Sequence, residues 1–173
     1  MSDTFITVIA IMLTAVLMLV LPVMTMADRV DTVSKTDIET KTSDFVNEIR
    51  TTGKLTSEKY SKFIEEITST GNTYDVEMEF KILDENPGKK STQTAKDKIG
   101  ENVYYSVYTS QIEDILNSNK NYNLKEGDLF SVNVKNTNQT LAQQLKNFFY
   151  TVVGNDTYTI AASHGGMVTA TGK

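Results

Sequence analysis

The stretch "VIAIMLTAVLMLVLPVMTMADRV", residues 8–30, decides how the rest of the chain is read. From Phe5 to Ala27 no residue is charged, and polar side chains are limited to Thr7, Thr14 and Thr25. As a helix rising about 1.5 Å per residue this run is about 34 Å long, enough to cross a hydrocarbon core of about 30 Å. Threonine tolerates such a setting because its hydroxyl can bond back to the helix backbone. The run is apolar all the way round, so it needs apolar surroundings on every side.

Three fates fit a run of this kind. Thr25-Met26-Ala27 has the small-x-small form of a signal-peptidase site, and cleavage after Ala27 releases a secreted soluble domain. Against cleavage, the leading MSDT carries Asp3 and no Lys or Arg, and the apolar run exceeds the usual 7 to 15 residues of a signal core. A single-pass anchor bearing an accessory or binding domain is the second fate. The basic residues Arg29, Lys35 and Lys41 all follow the span, which by the positive-inside rule places the large domain in the cytoplasm. The expectation that removes this conflict is a short basic leader ahead of Met1, cut off on maturation. The third fate is a helix that leaves the membrane intact.

Beyond Ala27 the helical signal continues. In "DRVDTVSKTDIETKTSDFVNEIR" the apolar residues Val30, Val33, Ile38, Phe45, Val46 and Ile49 recur near helical spacing, which predicts an amphipathic helix packed on a domain. No Gly or Pro lies between Pro22 and Gly53, so one helix of about fifty residues, kinked at Pro22, is the economical reading. Arg50 in the last turn and Gly53 after it suit its C-terminus. The chain thus divides into a long helix over 1–52, with an apolar half at 5–27 and an amphipathic half at 28–50, and a head over 53–173. Val30, Val33, Ile38, Phe45 and Ile49 are the residues expected to pack on the head.

With these residues in view, "ITVIAIMLTAVLMLVLPVMTMADRV" resembles the N-terminal helix of type IV pilins and pseudopilins. The resemblance lies in the IVIAI-like opening, the run of branched apolar residues, the Leu21-Pro22 step and the polar continuation. It covers about the first 30 residues closely. Where that family usually has a glutamate near its mature N-terminus this chain has Phe5, and Asp3 is the nearest acid. That departure points to a divergent branch, such as the Tad type. The resemblance implies a structural subunit that waits in the inner or cytoplasmic membrane and is then built by pilus assembly machinery into a filament on the bacterial cell surface. Its partners are then copies of itself, and its assembly helix uses Asp3, Phe5, Ile9, Leu13, Leu17, Leu21 and Pro22.

The head reads as α+β. Thr56 can cap a helix in "SEKYSKFIEEITSTG", whose Tyr60, Phe63, Ile64 and Ile67 share a face, with Gly71 as its stop. "TYDVEMEFKILD" alternates Tyr74, Val76, Met78, Phe80 and Ile82 with polar residues, the mark of a strand with one buried face. Val103, Tyr105 and Val107 predict a second strand, residues 109–118 a short helix, and "DLFSVNVKN" a third strand. Asn138 is expected to cap a helix carrying Leu141, Leu145, Phe148 and Val152. "TYTIAAS" and "MVTAT" are expected to form two further strands joined by a turn at Gly165-Gly166. Together these predict an antiparallel sheet packed on the emergent half of the long helix.

Little in the chain resembles a site for chemistry. The absence of cysteine excludes disulfides, zinc–thiolate sites and cysteine nucleophiles. A net charge of −5 without a basic cluster argues against nucleic acid as a partner. "ENPGKKST" lacks the leading glycine of a phosphate loop, since Leu83 stands there, and reads as a turn. Asp84, Glu85 and Asn86 lack the spaced ligands of a calcium loop. His164, the single histidine, is expected on the surface beside the glycine turn. Asn138 and Asn155 match the glycosylation pattern, but capping and turn chemistry account for them. Tyr104, Tyr105 and Tyr108 are rim or core residues that can also supply subunit contacts. The reading is therefore a non-enzyme with no cofactor and no metal.

Overall fold

A computed structural model of the chain describes residues 2–69, 71–84, 103–118, 120–140, 144 and 161–173. It is α+β, with a long apolar N-terminal helix and antiparallel sheets. Helix α1 runs over Ser2–Thr52 with Pro22 inside it. There follow β1 (Lys54–Leu55), α2 (Ser57–Thr68), β2 (Tyr74–Asp84), β3 (Val103–Tyr108), α3 (Thr109–Asn117), β4 (Tyr122–Asn123), β5 (Leu129–Asn136) and β6 (Ala161–Met167). The main sheet has the order β3-β2-β5-β6 with every neighbour antiparallel, and β1 pairs with β4 in a two-stranded ribbon.

Period-two alternation dictates what the sheet buries. Val76, Met78 and Phe80 of β2 and Phe130, Val132 and Val134 of β5 face inward, in register as Val76–Val134, Met78–Val132 and Phe80–Phe130. On this face lie Ile38, Phe45, Val46 and Ile49 of α1, with Phe63 and Ile67 of α2 beside them. The rings lock together: Phe45 stacks on Phe63 at 4.2 Å and meets Phe130 edge-on at 6.0 Å. Phe80 contacts both Phe130 and Tyr122 at 4.7 Å. Helix α2 starts as its sequence predicts, with Thr56 Oγ1 accepting the Lys59 N–H at 3.2 Å.

Two expectations require correction. Strand β6 continues through Gly165 and Gly166 instead of turning there. The glycines serve close packing: a Cβ at Gly165 would stand 2.9 Å from the Ser131 Cβ, and one at Gly166 would stand 2.6 Å from the Arg50 guanidinium carbon. Arg50 lies over that bare stretch and donates from Nε to the Met167 carbonyl at 2.7 Å. His164 consequently sits in mid-strand opposite Val132, half-buried, its Nε2 3.5 Å from Ser43 Oγ on α1. Asn138, expected to cap a helix whose residues are not described apart from Gln144, braces the start of β2, with Oδ1 accepting the Thr73 N–H at 2.9 Å and Nδ2 donating to Asn72 Oδ1 at 3.1 Å. The helix expected over Leu141, Leu145, Phe148 and Val152 falls outside the described residues apart from Gln144, as do "ENPGKKST" and Asn155.

The distal end of α1 is closed by the C-terminal segment. Gly53 adopts a positive φ of 64°, and its N–H donates to Ile49 O at 2.8 Å. Thr169 N–H then donates to the Arg50 carbonyl at 2.9 Å, and Leu124 N–H to the Gly53 carbonyl at 2.7 Å. The Arg50 carbonyl of the last helical turn is thereby satisfied from the C-terminal segment, and the Gly53 carbonyl just past the helix from the chain after β4.

Candidate functional site

The feature that stands apart is the first half of α1. Among the described residues, α1 is the helix long and apolar enough to cross a membrane. Between Phe5 and Met26 its apolar side chains lie open on every side, from Leu17 at 43 % to Met18 at 77 %, with Val20 and Met24 half-buried. Asp3, Phe5, Ile9, Leu13, Leu17, Leu21 and Pro22 all stand exposed on this segment. The three threonines have no need of water. Thr7, Thr14 and Thr25 donate to the carbonyls of Asp3, Ala10 and Leu21 at 2.7, 2.7 and 3.0 Å. The surface they leave is hydrocarbon, suited to lipid or to other helices.

The second half of α1 is divided lengthwise. One face runs through Asp31, Ile38, Thr42, Phe45, Val46 and Ile49, all buried against the head. Asp31 is tied there by Thr140 Oγ1, which donates to its Oδ2 at 3.2 Å. Flanking ties come from Lys41 Nζ, which donates to the Glu66 carbonyl at 2.8 Å, and from Lys59, which pairs with Glu48 at 3.1 Å. Val30 and Val33, expected in the head-packing set with Ile38, Phe45 and Ile49, instead point outward at 64 % and 68 % exposure. At about 100° per residue Val33 lies about 140° round the helix from Ile38 and Val30 about 80°, so neither falls on the buried stripe through Ile38, Thr42, Phe45 and Ile49. Their spacing was helical; their phase was wrong.

Elsewhere the surface is less distinctive. A groove of about 520 Å³ separates α2 from α3, bridged by Tyr60, whose hydroxyl donates to Glu113 Oε1 at 2.8 Å. Burial and that carboxylate hold the Tyr60 phenol well above its usual pKa, and burial beside Tyr105 and Asp128 pushes Tyr122 up to about 12. Tyr104, Tyr105 and Tyr108 are exposed on β3, an edge strand of the main sheet. Among the described residues, no three of His, Asp and Glu gather as a metal site does. Compared with protein-family models, curated proteins and solved structures, the chain matches none.

Proposed function

We propose that this chain is a structural subunit that is held in a membrane by the first half of α1 and then assembles, through the same helix, into a pilus-like filament outside the cell. The observation that carries the reading is the division of one unbroken helix. Its far half is the core of the head, while its near half offers apolar side chains on all sides. A lipid anchor alone requires about 20 apolar residues and no particular continuity with the domain that follows. A rigid helix seated in the head core transmits the position of every head to the helix bundle beneath it. The departure at Phe5 and the place of Leu21-Pro22 fit a divergent pilin-like subunit, with the assembly machinery and copies of itself as partners.

Mass spectrometry of the N-terminal peptide tests this on material sheared from the surface of cells that make the protein. The expected result is a chain beginning at or before Phe5 in a sheared fraction of high molecular mass. A chain beginning at Asp28 makes the opening run a signal peptide. An intact chain confined to membranes makes it the anchor of an accessory or binding domain. Either result overturns the assembly reading.

A further inference from the structure

The groove between α2 and α3 is built from one face of each helix. At about 100° per residue, Ser57, Tyr60, Ser61, Ile64, Glu65 and Thr68 fall within about 140° of one another on α2. Glu113, Leu116 and Asn117 face them from within about 100° on α3. Leu116 is buried and Tyr60 and Ile64 are half-buried, so they make an apolar floor, while Ser61, Glu65 and Asn117 stand exposed at the rim. Its 520 Å³ falls in the range of small-molecule sites. Charge sets this groove apart. Glu65 stands on one wall and Glu113 on the other, and among the described residues no Lys or Arg lines it. Glu113 accepts the neutral Tyr60 hydroxyl at 2.8 Å, and neither carboxylate has an ion pair among the described residues. The hollow on the opposite side of α2 is neutralised from within. There Lys41, Lys59 and Lys62 pair with Asp37, Glu48 and Glu66 at 2.7, 3.1 and 3.7 Å. The excess of negative charge reaches the floor, where burial and then the Glu113 and Asp75 carboxylates raise the Tyr60 phenol pKa.

We propose that this groove binds a linear aliphatic diammonium or polyammonium ion, with its methylenes on the Tyr60, Ile64 and Leu116 floor and an ammonium group at each of Glu65 and Glu113. Two carboxylates with no cation of the protein's own call for a dication. The apolar floor between them calls for a hydrocarbon stem. A divalent metal ion meets neither demand, because it needs more oxygen ligands than two carboxylates supply and gains nothing from the floor. Each ammonium carries three donors, so one N–H can meet a carboxylate while others reach the hydroxyls of Ser57 and Ser61 or the amide oxygen of Asn117. The site belongs to the head alone and does not depend on filament assembly.

Isothermal titration of the full chain in micelles tests this, using spermidine and a series of α,ω-diaminoalkanes of increasing length. Butylamine and magnesium chloride at matched ionic strength are the controls. The expected result is saturable one-to-one binding with an optimum chain length, at least about tenfold tighter than either control. Glu65→Gln and Glu113→Gln should each weaken it about tenfold, since each removes one charge-assisted contact. Glutamine at 113 still offers an acceptor to Tyr60, so the helix pair keeps its bridge. Ser61→Lys, at an exposed position one turn before Glu65, supplies an internal ammonium and should weaken binding as much. Unchanged urea midpoints in all three variants are expected and tie the losses to the groove. Affinity without a length optimum, or matched by magnesium, means diffuse attraction to an acidic head and overturns the proposal. Unchanged affinity in the variants, or no saturable heat from any diamine or spermidine, overturns it too.

Discussion

Phe45 is the residue through which the long helix is fastened to the head. Its ring is buried, stacked on Phe63 and edge-on to Phe130, so it joins α1, α2 and β5 at one point. Phe45→Ala removes that volume from a packed core and should destabilise the head by about 3–5 kcal/mol. Urea unfolding of the detergent-solubilised chain, followed by near-ultraviolet circular dichroism, measures the loss. Gly53→Ala should cost at least about 1–2 kcal/mol in the same assay, because a side chain disfavours φ of 64° by that much. The added methyl also meets the backbone of Ala170 and Gly172. A third expectation concerns alkali. Tyr122 is raised to about 12 and Tyr60 is raised too, both mainly by burial. Below about pH 10 both phenols are protonated folded and unfolded. Above it the unfolded chain releases protons that the folded chain retains, so stability should fall with rising pH through the folded-state values. Tyr122→Phe should flatten that fall between about pH 10 and 12, read as the pH dependence of the urea midpoint.

At the scale of elements, Pro22 is the anomaly of α1. Proline has no N–H, so the Met18 carbonyl loses its helical donor in the middle of an apolar run, at a typical cost of about 3 kcal/mol. Pro22→Ala supplies the donor. Hydrogen–deuterium exchange in micelles should then be slower across residues 19–26, and an unchanged profile would mean that neighbouring groups already compensate. How far such elements were legible in the sequence depends on whether a pattern fixes phase as well as period. Strands β2 and β5 were readable because alternation assigns each residue to one of two faces, and Val76, Met78, Phe80, Phe130, Val132 and Val134 all went inward. In α1 the spacing of Val30 and Val33 was right for a helix, but the buried side is chosen by where the head sits, and that is a tertiary fact. β6 was split in two because Gly165-Gly166 has turn composition, whereas its glycines answer to Ser131 and Arg50 from other elements. β1 and β4, two residues each, are too short to show any period. The candidate site follows the same rule. Its apolar half is plain from the absence of charge, while which residues of the second half face away from the head follows from where the head sits.

For the whole molecule, the question is what the first half of α1 exchanges when it leaves lipid. Lipid tails and a bundle of apolar helices are alike in polarity, so the move gains little from burial and depends on how closely the helices fit. That dependence separates an assembly helix from an anchor. Leu13→Trp and Leu17→Trp each add bulk to an exposed apolar position of the run. In lipid the larger ring is accommodated. In a close-packed bundle overfilling costs about 1–3 kcal/mol, and the penalty recurs at every subunit added. The expected outcome is membrane levels near those of the unaltered chain together with a roughly tenfold or greater fall in the sheared fraction, since about 1.4 kcal/mol is tenfold in an equilibrium constant. Quantitative immunoblots of the two fractions measure it. An unchanged sheared fraction in both variants would place residues 13 and 17 outside any bundle contact. A matching loss from membranes would instead trace the defect to insertion. The head reports separately on its own integrity, because its core begins beyond the run, at Ile38, and its urea midpoint should not move in either variant.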